Sequence, residues 1–173
     1  MAILKIIQYP DLRLKRKGQL VKDIKAKHVQ RSIQDMLQTL LVAQNCAALA
    51  STQLDIEDPP SIVVINNANT ILGSVLCLIN PEIVEQSNEA VAAEEGCMSI
   101  MSQSRQSIYV KIRRAEKIKV TAMDIHGKNV VFEATDFLAR CIQHECDHLR
   151  GMITLDYLEE NERLVVERKI AKF

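Results

Sequence analysis

The amino-acid sequence predicts an α+β fold in a single domain, residues 1–173. Three observations lead to this prediction. A helical pattern comes first along the chain, alternating strand patterns follow it, and two further helical patterns close the sequence. The length of 173 residues suits one domain. No repeat, low-complexity tract or Gly/Ser-rich linker divides the chain.

The first helix is predicted over residues 28–44, where apolar residues recur at the spacing of one helical face. Strands are predicted where short apolar runs or alternating apolar residues occur, at residues 61–65, 75–79, 108–112, 118–122 and 130–132. Asn80 and Pro81 are expected to end the second of these strands. The segment around Cys97 is small and polar and is expected to be turn-like.

The second helix is predicted to begin at Thr135 or Asp136, either of which can act as an N-cap. Gly151 stands where a left-handed residue is expected after the last turn of this helix. A third helix with a charged exposed face is predicted beyond Leu158.

Composition excludes several classes of protein. Hydrophobic residues make up 47% and charged residues 25% of the chain, which is typical of a folded globular protein. The 22 basic and 22 acidic residues balance, so bulk charge does not favour nucleic-acid or membrane-surface binding. The five cysteines include no CxxC pair and, without a secretion signal, indicate free thiols or metal ligands in a cytoplasmic protein.

The strongest chemical signal is an H-E-x-x-H pattern in the second predicted helix. His144 and His148 are four residues apart, so both side chains face the same way and can bind one metal ion. Glu145 can accept the proton of a water molecule held at such an ion. The alternative is a chance placement of two surface histidines near acidic residues.

A catalytic metal site of this kind needs a third protein ligand and one open position. Cys97 is the best candidate, because a thiolate suits Fe(II) or Zn(II). The alternative for Cys97 is a buried small apolar residue.

Three ordered segments resemble the motifs of the peptide deformylase family. Residues 95–99, Glu-Gly-Cys-Met-Ser, are similar to its EGCLS segment, with Met in place of Leu. Residues 143–151 are similar to its QHExDHLxG helix, and residues 46–53 resemble its GxGxAAxQ segment less closely. The likeness extends along nearly the whole chain and implies antiparallel strands around a central helix that carries the two histidines.

The resemblance implies a metal-dependent hydrolase of linear amides that removes the formyl group from N-formylmethionyl peptides and releases formate, a step in N-terminal processing. Cys97, His144 and His148 would bind the metal, which would be Fe(II) in the cell and Zn, Ni or Co as isolated. Glu145 would transfer protons, while the Gln53 side chain and the Met98 backbone N–H would face the oxyanion. The implied partners are a formylated peptide and the ribosome exit region, with no membrane and no nucleic-acid readout.

The resemblance also implies a substrate pocket formed by Cys46, Ala47, Ala48, Glu95, Gly96, Arg105, Arg140 and Cys141. Cys46 and Ala48 stand where the motif has glycines. Arg140 lies one helical turn before His144. It either extends to solvent or pairs with Glu94 or Glu95, or it partly fills or polarises the pocket and weakens recognition of formylmethionine. Two alternatives therefore stay open: a paralogue that acts on a different N-formyl or N-acyl substrate, and a metal-bound homologue without catalysis.

Overall fold

The computed structural model describes residues 2–66 and 75–171, which contain three α-helices and seven strands. The helices are α1 (Lys27–Val42), α2 (Asp136–Leu149) and α3 (Glu160–Ala171). The strands are β1 (Ala48–Ala50), β2 (Ile62–Asn66), β3 (Val75–Gln86), β4 (Ala90–Met101), β5 (Ser107–Ala115), β6 (Lys117–Met123) and β7 (Asn129–Thr135). In this part of the chain no helix is long and apolar enough to span a membrane.

Five strands form one antiparallel sheet in the order β1-β2-β3-β6-β7. Its two faces are covered by different helices. Val63 of β2 belongs to the same core cluster as Ile142 of α2, whereas the neighbouring Val64 belongs to the cluster of Met36 in α1. Successive strand residues point to opposite faces, so the continuous apolar run of β2 fills both cores.

The remaining strands, β4 and β5, form an antiparallel hairpin beside the larger sheet. Helix α2 contacts β1 and β2 of the sheet and also β5 of the hairpin. It is thus enclosed on two sides, and all residues from 141 to 149 are buried. The predicted α+β fold with antiparallel strands around a central helix is confirmed.

The boundaries of α2 match the sequence prediction closely. Thr135 precedes the helix in an extended conformation, although its side chain makes no capping hydrogen bond. Gly151 has a φ of +79°, the left-handed conformation expected after the helix. A Cβ atom at this position would also collide with the carbonyl oxygen of Lys15.

The expectation that Asn80 and Pro81 end a strand is wrong, because β3 continues to Gln86. The register of β3 against β6 shifts between Ile79 and Glu82, so the strand passes the proline through an irregularity. Asn80 adopts a φ of +51°, and its side chain exchanges hydrogen bonds of 2.9 and 2.8 Å with the backbone of Val21. These contacts hold the bend that allows the strand to resume.

The expectation of a turn-like segment around Cys97 is also wrong, since this segment belongs to strand β4. The strand is rich in Ala and Glu, and Val91 and Ile100 are its only β-branched residues, so its sequence only weakly indicates a strand. Pairing with β5 from Ala90 to Gly96 overrides that local preference. The register then shifts between Gly96 and Met101, so residues 97–100 bulge out of the hairpin.

We expect Gly151→Ala to lower the free energy of unfolding by about 1–3 kcal/mol, because the left-handed backbone and the collision with Lys15 both penalise a side chain. Urea denaturation measures the change. Gly127→Ala is the matched control, since Gly127 has a φ of +80° but its Cβ would meet only a side-chain methyl of Ile24. Equal losses in both variants would show that the carbonyl contact at Gly151 has no effect.

Candidate metal centre and active-site cleft

Helix α2 brings its two histidines together inside the protein. The Nε2 atoms of His144 and His148 are 3.2 Å apart, and their rings lie edge to face with centroids 4.9 Å apart. This is the geometry expected for i and i+4 side chains on one helical face. Both residues are buried, so the pair lies beneath the surface.

The bulge in β4 carries Cys97 to the same point. Its Sγ lies 3.3 Å from Nε2 of His148, and one ligand atom each from Cys97, His144 and His148 lies within 4.8 Å of the others. Cys97 is 3% exposed, which is the burial expected of either a ligand or a small apolar residue. Its position beside two imidazole nitrogens favours the ligand interpretation.

The three side chains fit a divalent metal ion. A tetrahedral zinc ion with Zn–N bonds of 2.0–2.1 Å would hold two imidazole nitrogens about 3.3 Å apart, close to the observed separation. Nδ1 of His144 lies 2.9 Å from Oε2 of Glu95, so its N–H donates there and leaves Nε2 as the lone-pair donor. Burial and nearby positive charge lower the pKa of His148 well below its usual value, which also favours a neutral ligand.

Glu145 lies next to His144 in the sequence and is buried with it. It is 3% exposed, and within the described residues its Oε2 atom is buried without a hydrogen-bond partner. Desolvation by burial raises the pKa of Glu145 to about 7. A carboxyl group with such a pKa can both accept and release a proton near neutral pH.

Gln53 reaches the centre from a 3-10 turn that follows β1. Its Oε1 accepts a 2.9 Å hydrogen bond from the backbone N–H of Ala50, which fixes the direction of the amide. Its Nε2 then lies 3.6 Å from Sγ of Cys97 and 3.2 Å from Oγ of Ser99. Met98, between these two residues, lines the same cleft, and its carbonyl accepts a 2.7 Å bond from Gln8.

Glu95 is the acceptor for several cations. Arg114 donates from Nε to Oε1 at 2.9 Å and from Nη2 to Oε2 at 3.0 Å, while Arg140 donates to Oε1 at 2.7 Å. Burial alone would raise the pKa of Glu95, but the hydrogen bonds from His144 and Arg114 lower it to about 2. Glu95 is therefore ionised.

Arg140 lines the cleft, and its charge is fully engaged there. Besides Glu95, its guanidinium donates to the carbonyl oxygens of Ile112 at 3.0 Å and Val91 at 2.7 Å. The pairing alternative considered from the sequence is the one observed. These three contacts leave no unpaired charge to polarise the pocket. Because Arg140 lines the cleft, its partial filling of the pocket stays a prediction.

The cleft has a volume of about 240 Å³ and opens beside Glu145. Among the pocket residues expected from the sequence, it is lined by Ala47, Ala48, Glu95, Gly96, Arg140 and Cys141. Two expected residues are not among those that line the cleft. Cys46 is buried in the core cluster of α1, and Arg105 is exposed in the turn between β4 and β5.

Further cleft residues were not anticipated from the sequence: Asn45, Glu94, Ser107, Tyr109 and Phe137. Tyr109 lies opposite Gly96 in the hairpin register, and Phe137 lies in the first turn of α2. Both are more than half exposed. Tyr109 is placed by the pairing of β4 with β5, which the sequence does not contain. Phe137 lies three and seven residues before Arg140 and His144, so helical spacing could have placed it on the same face.

The comparisons with known proteins agree with this geometry. A family model described as polypeptide deformylase matches residues 3–164. The chain is 46% identical over 168 residues to "Peptide deformylase 1" of Coxiella burnetii, covering 97% of this chain and 95% of that protein. It is 42% identical over 173 residues to "Peptide deformylase 3" of Shewanella oneidensis, covering 100% and 99%. The fold is similar to the crystal structure of peptide deformylase from Ehrlichia chaffeensis in complex with actinonin, with a TM-score of 0.85, 31% identity and full coverage of both chains.

We expect His144→Ala to reduce bound metal from one ion per chain to a small fraction, because a site with two remaining ligands binds weakly. Elemental analysis of anaerobically purified protein measures the metal content. His126→Ala is the control, since His126 is exposed in the turn between β6 and β7. Undiminished metal in the His144 variant would contradict the ligand assignment.

Proposed function

Because the chain belongs to the polypeptide deformylase family, we propose that it hydrolyses the N-formyl group of N-formylmethionyl peptides and releases formate. The observation that carries this proposal is the convergence of Cys97, His144 and His148 on one point beside Glu145. We also propose that residues 1–173 act as one catalytic domain. The family match over residues 3–164 and the continuous core around α2 support that assignment.

The proposed metal is a divalent ion held by one thiolate and two imidazoles, with Fe(II) as the ion in the cell. This donor set suits Fe(II) and also Zn(II), Ni(II) and Co(II), which can replace it on isolation. When bound, the ion supplies Lewis acidity at the formyl carbonyl. The ionised Glu95 next to His144 strengthens the attraction of this site for positive charge.

Glu145 is the proposed acid and base. Its carboxylate accepts a proton from the attacking water as the C–O bond forms, and it later delivers a proton to the departing amine as the C–N bond breaks. The products are formate and a free amino terminus, so atoms and charge balance without another reactant. The unpartnered Oε2 atom and the pKa of about 7 support this role.

Gln53 and the backbone N–H of Met98 are proposed to stabilise the developing oxyanion. The amide of Gln53 is held by Ala50 and needs little reorientation to donate to a new oxygen atom near Cys97. Preorganised donors of this type contribute about 10²–10³-fold in rate each. An oxyanion donor and a base at the metal would have no use in a homologue without catalysis.

A peptide is the proposed partner. The related Ehrlichia protein has been crystallised with actinonin, a peptide-like inhibitor, and the cleft of this chain is walled by strand β4. Gly96 presents backbone without a side chain at that wall, which favours close approach by another extended chain. We propose that the substrates are newly made chains in the cytoplasm, where they leave the ribosome exit region.

The contacts of Arg140 favour formylmethionine over an acidic substrate. Its guanidinium is neutralised by Glu95 and bound to two carbonyl oxygens, so no free charge is available to recognise a polar substrate group. The methylene stem of the same side chain can contribute an apolar wall. The paralogue with an altered pocket is therefore the weaker candidate.

We expect Glu145→Gln to lower formate release from formyl-Met-Ala-Ser by about 10²–10⁴-fold, because glutamine cannot transfer the proton. Coupled formate detection measures turnover, and elemental analysis should show unchanged metal. Glu82→Gln, which alters an exposed carboxylate in β3, is the matched control. Turnover at the wild-type rate in the Glu145 variant would contradict its proposed role as acid and base.

We expect kcat/KM for formyl-Met-Ala-Ser to exceed that for formyl-Glu-Ala-Ser and formyl-Gln-Ala-Ser, since the Arg140 charge is neutralised by Glu95. Arg140→Met should keep this order while lowering the free energy of unfolding by about 1–3 kcal/mol, because Glu95 and two carbonyls lose a donor. A preference for formyl-Glu that disappears in Arg140→Met would instead establish the paralogue.

A further inference from the structure

A tyrosine outside the active-site cleft is connected to the proposed metal centre by buried charged side chains. Tyr157 lies in the 3-10 turn Thr154–Tyr157, beyond the C-terminal end of α2. It lines a separate cavity of about 370 Å³ and is not among the residues that line the cleft beside Glu145. We propose that Tyr157 is a positioning residue for the metal ligand His144. This inference rests on the metal site proposed above.

The first link joins Tyr157 to Arg114 through two different contacts. The hydroxyl of Tyr157 accepts a 3.0 Å hydrogen bond from Nη1 of Arg114, and its ring lies beneath the guanidinium, with Cζ 4.9 Å from the ring centroid. The same hydroxyl donates a 2.7 Å bond to Oδ2 of Asp147, which also pairs with Nη1 of Arg114. Tyr157 therefore holds the Arg114 guanidinium in two ways, by a hydrogen bond at its edge and by ring contact with its face.

The second link joins Arg114 to His144 through Glu95. Arg114 is 5% exposed and binds Glu95 with two parallel hydrogen bonds, so the plane of the guanidinium fixes the plane of the carboxylate. Oε2 of Glu95 then receives the Nδ1–H of His144. The direction of that bond sets which way Nε2 of His144 points.

Loss of Tyr157 would therefore loosen the orientation of the His144 imidazole. Without its hydroxyl and ring, Nη1 of Arg114 keeps Asp147 as its one partner among the described residues, and water can enter from the adjoining cavity. A less constrained guanidinium leaves Glu95 and the imidazole freer to rotate. Disturbing groups that orient a metal ligand typically costs about 10–100-fold in metal affinity, and a more remote group should fall at the lower end.

The experiment compares Tyr157→Phe, which keeps the ring, with Tyr157→Leu, which removes both contacts. Affinity for Co(II) is measured by competition with a chelator, with the cobalt absorption bands as a second readout of ligand geometry. Tyr9→Phe is the matched control, because the Tyr9 hydroxyl bonds to Glu167 and Arg163 and, within the described residues, to none of Arg114, Glu95 and His144. Melting of the metal-free proteins records stability separately.

We expect Tyr157→Leu to weaken Co(II) binding by about 10-fold and Tyr157→Phe by less, with Tyr9→Phe unchanged. The effect of Tyr157→Phe should largely vanish in a Glu95→Gln background, because the path runs through that carboxylate. If both Tyr157 variants lower only the melting temperature, or if the effects simply add in the Glu95→Gln background, the inference is overturned.

The two proposals fail in different ways. A wild-type protein that binds no Co(II), or that binds it without releasing formate from formyl-Met-Ala-Ser, would contradict the proposed function. A wild-type protein that binds the ion and turns over, with Tyr157 variants of unchanged affinity and spectrum, would contradict only the positioning role.

Discussion

The site depends on one buried carboxylate, that of Glu95 in strand β4. Its two oxygens receive hydrogen bonds from Arg114 of β5 and from Arg140 and His144 of α2, so a single group ties the hairpin to the central helix. A buried negative charge is costly unless it is paired and fully hydrogen-bonded. The three partners satisfy that condition and also orient the imidazole. Stability of the hairpin packing and geometry of the metal centre are thus coupled.

The proposed metal centre also needs a ligand from outside α2, and the bulge after Gly96 in β4 provides it. A regular strand would place Cys97 in register with β5, whereas the shift between Gly96 and Met101 releases residues 97–100 from pairing. Sγ of Cys97 then meets the two imidazoles, and Met98 lies at the cleft beside it. The same irregularity positions both the proposed metal ligand and the proposed backbone donor, and bulges are frequent next to active sites for this reason.

Burial and hydrogen bonding together determine the pKa values of Glu145 and Glu95. Burial raises the pKa of Glu145, and within the described residues its Oε2 atom has no hydrogen-bond partner. Glu95, which accepts a hydrogen bond from the proposed ligand His144, has a lowered pKa because the hydrogen bonds from His144 and Arg114 outweigh its burial. Burial without a partner for Oε2 thus raises the pKa of one carboxyl group, the proposed proton carrier, while hydrogen bonds keep the other ionised.

The sequence by itself determined the α+β class, the limits of α2 and the pair His144 and His148, because helical spacing is local and one turn separates the ligands. It also indicated Cys97 and Glu145 through their motifs. Only the tertiary structure decided that β4 is a strand, that Cys46 belongs to the α1 core and that Glu95 neutralises Arg140. These outcomes depend on pairing between distant segments, which local propensity and spacing do not contain.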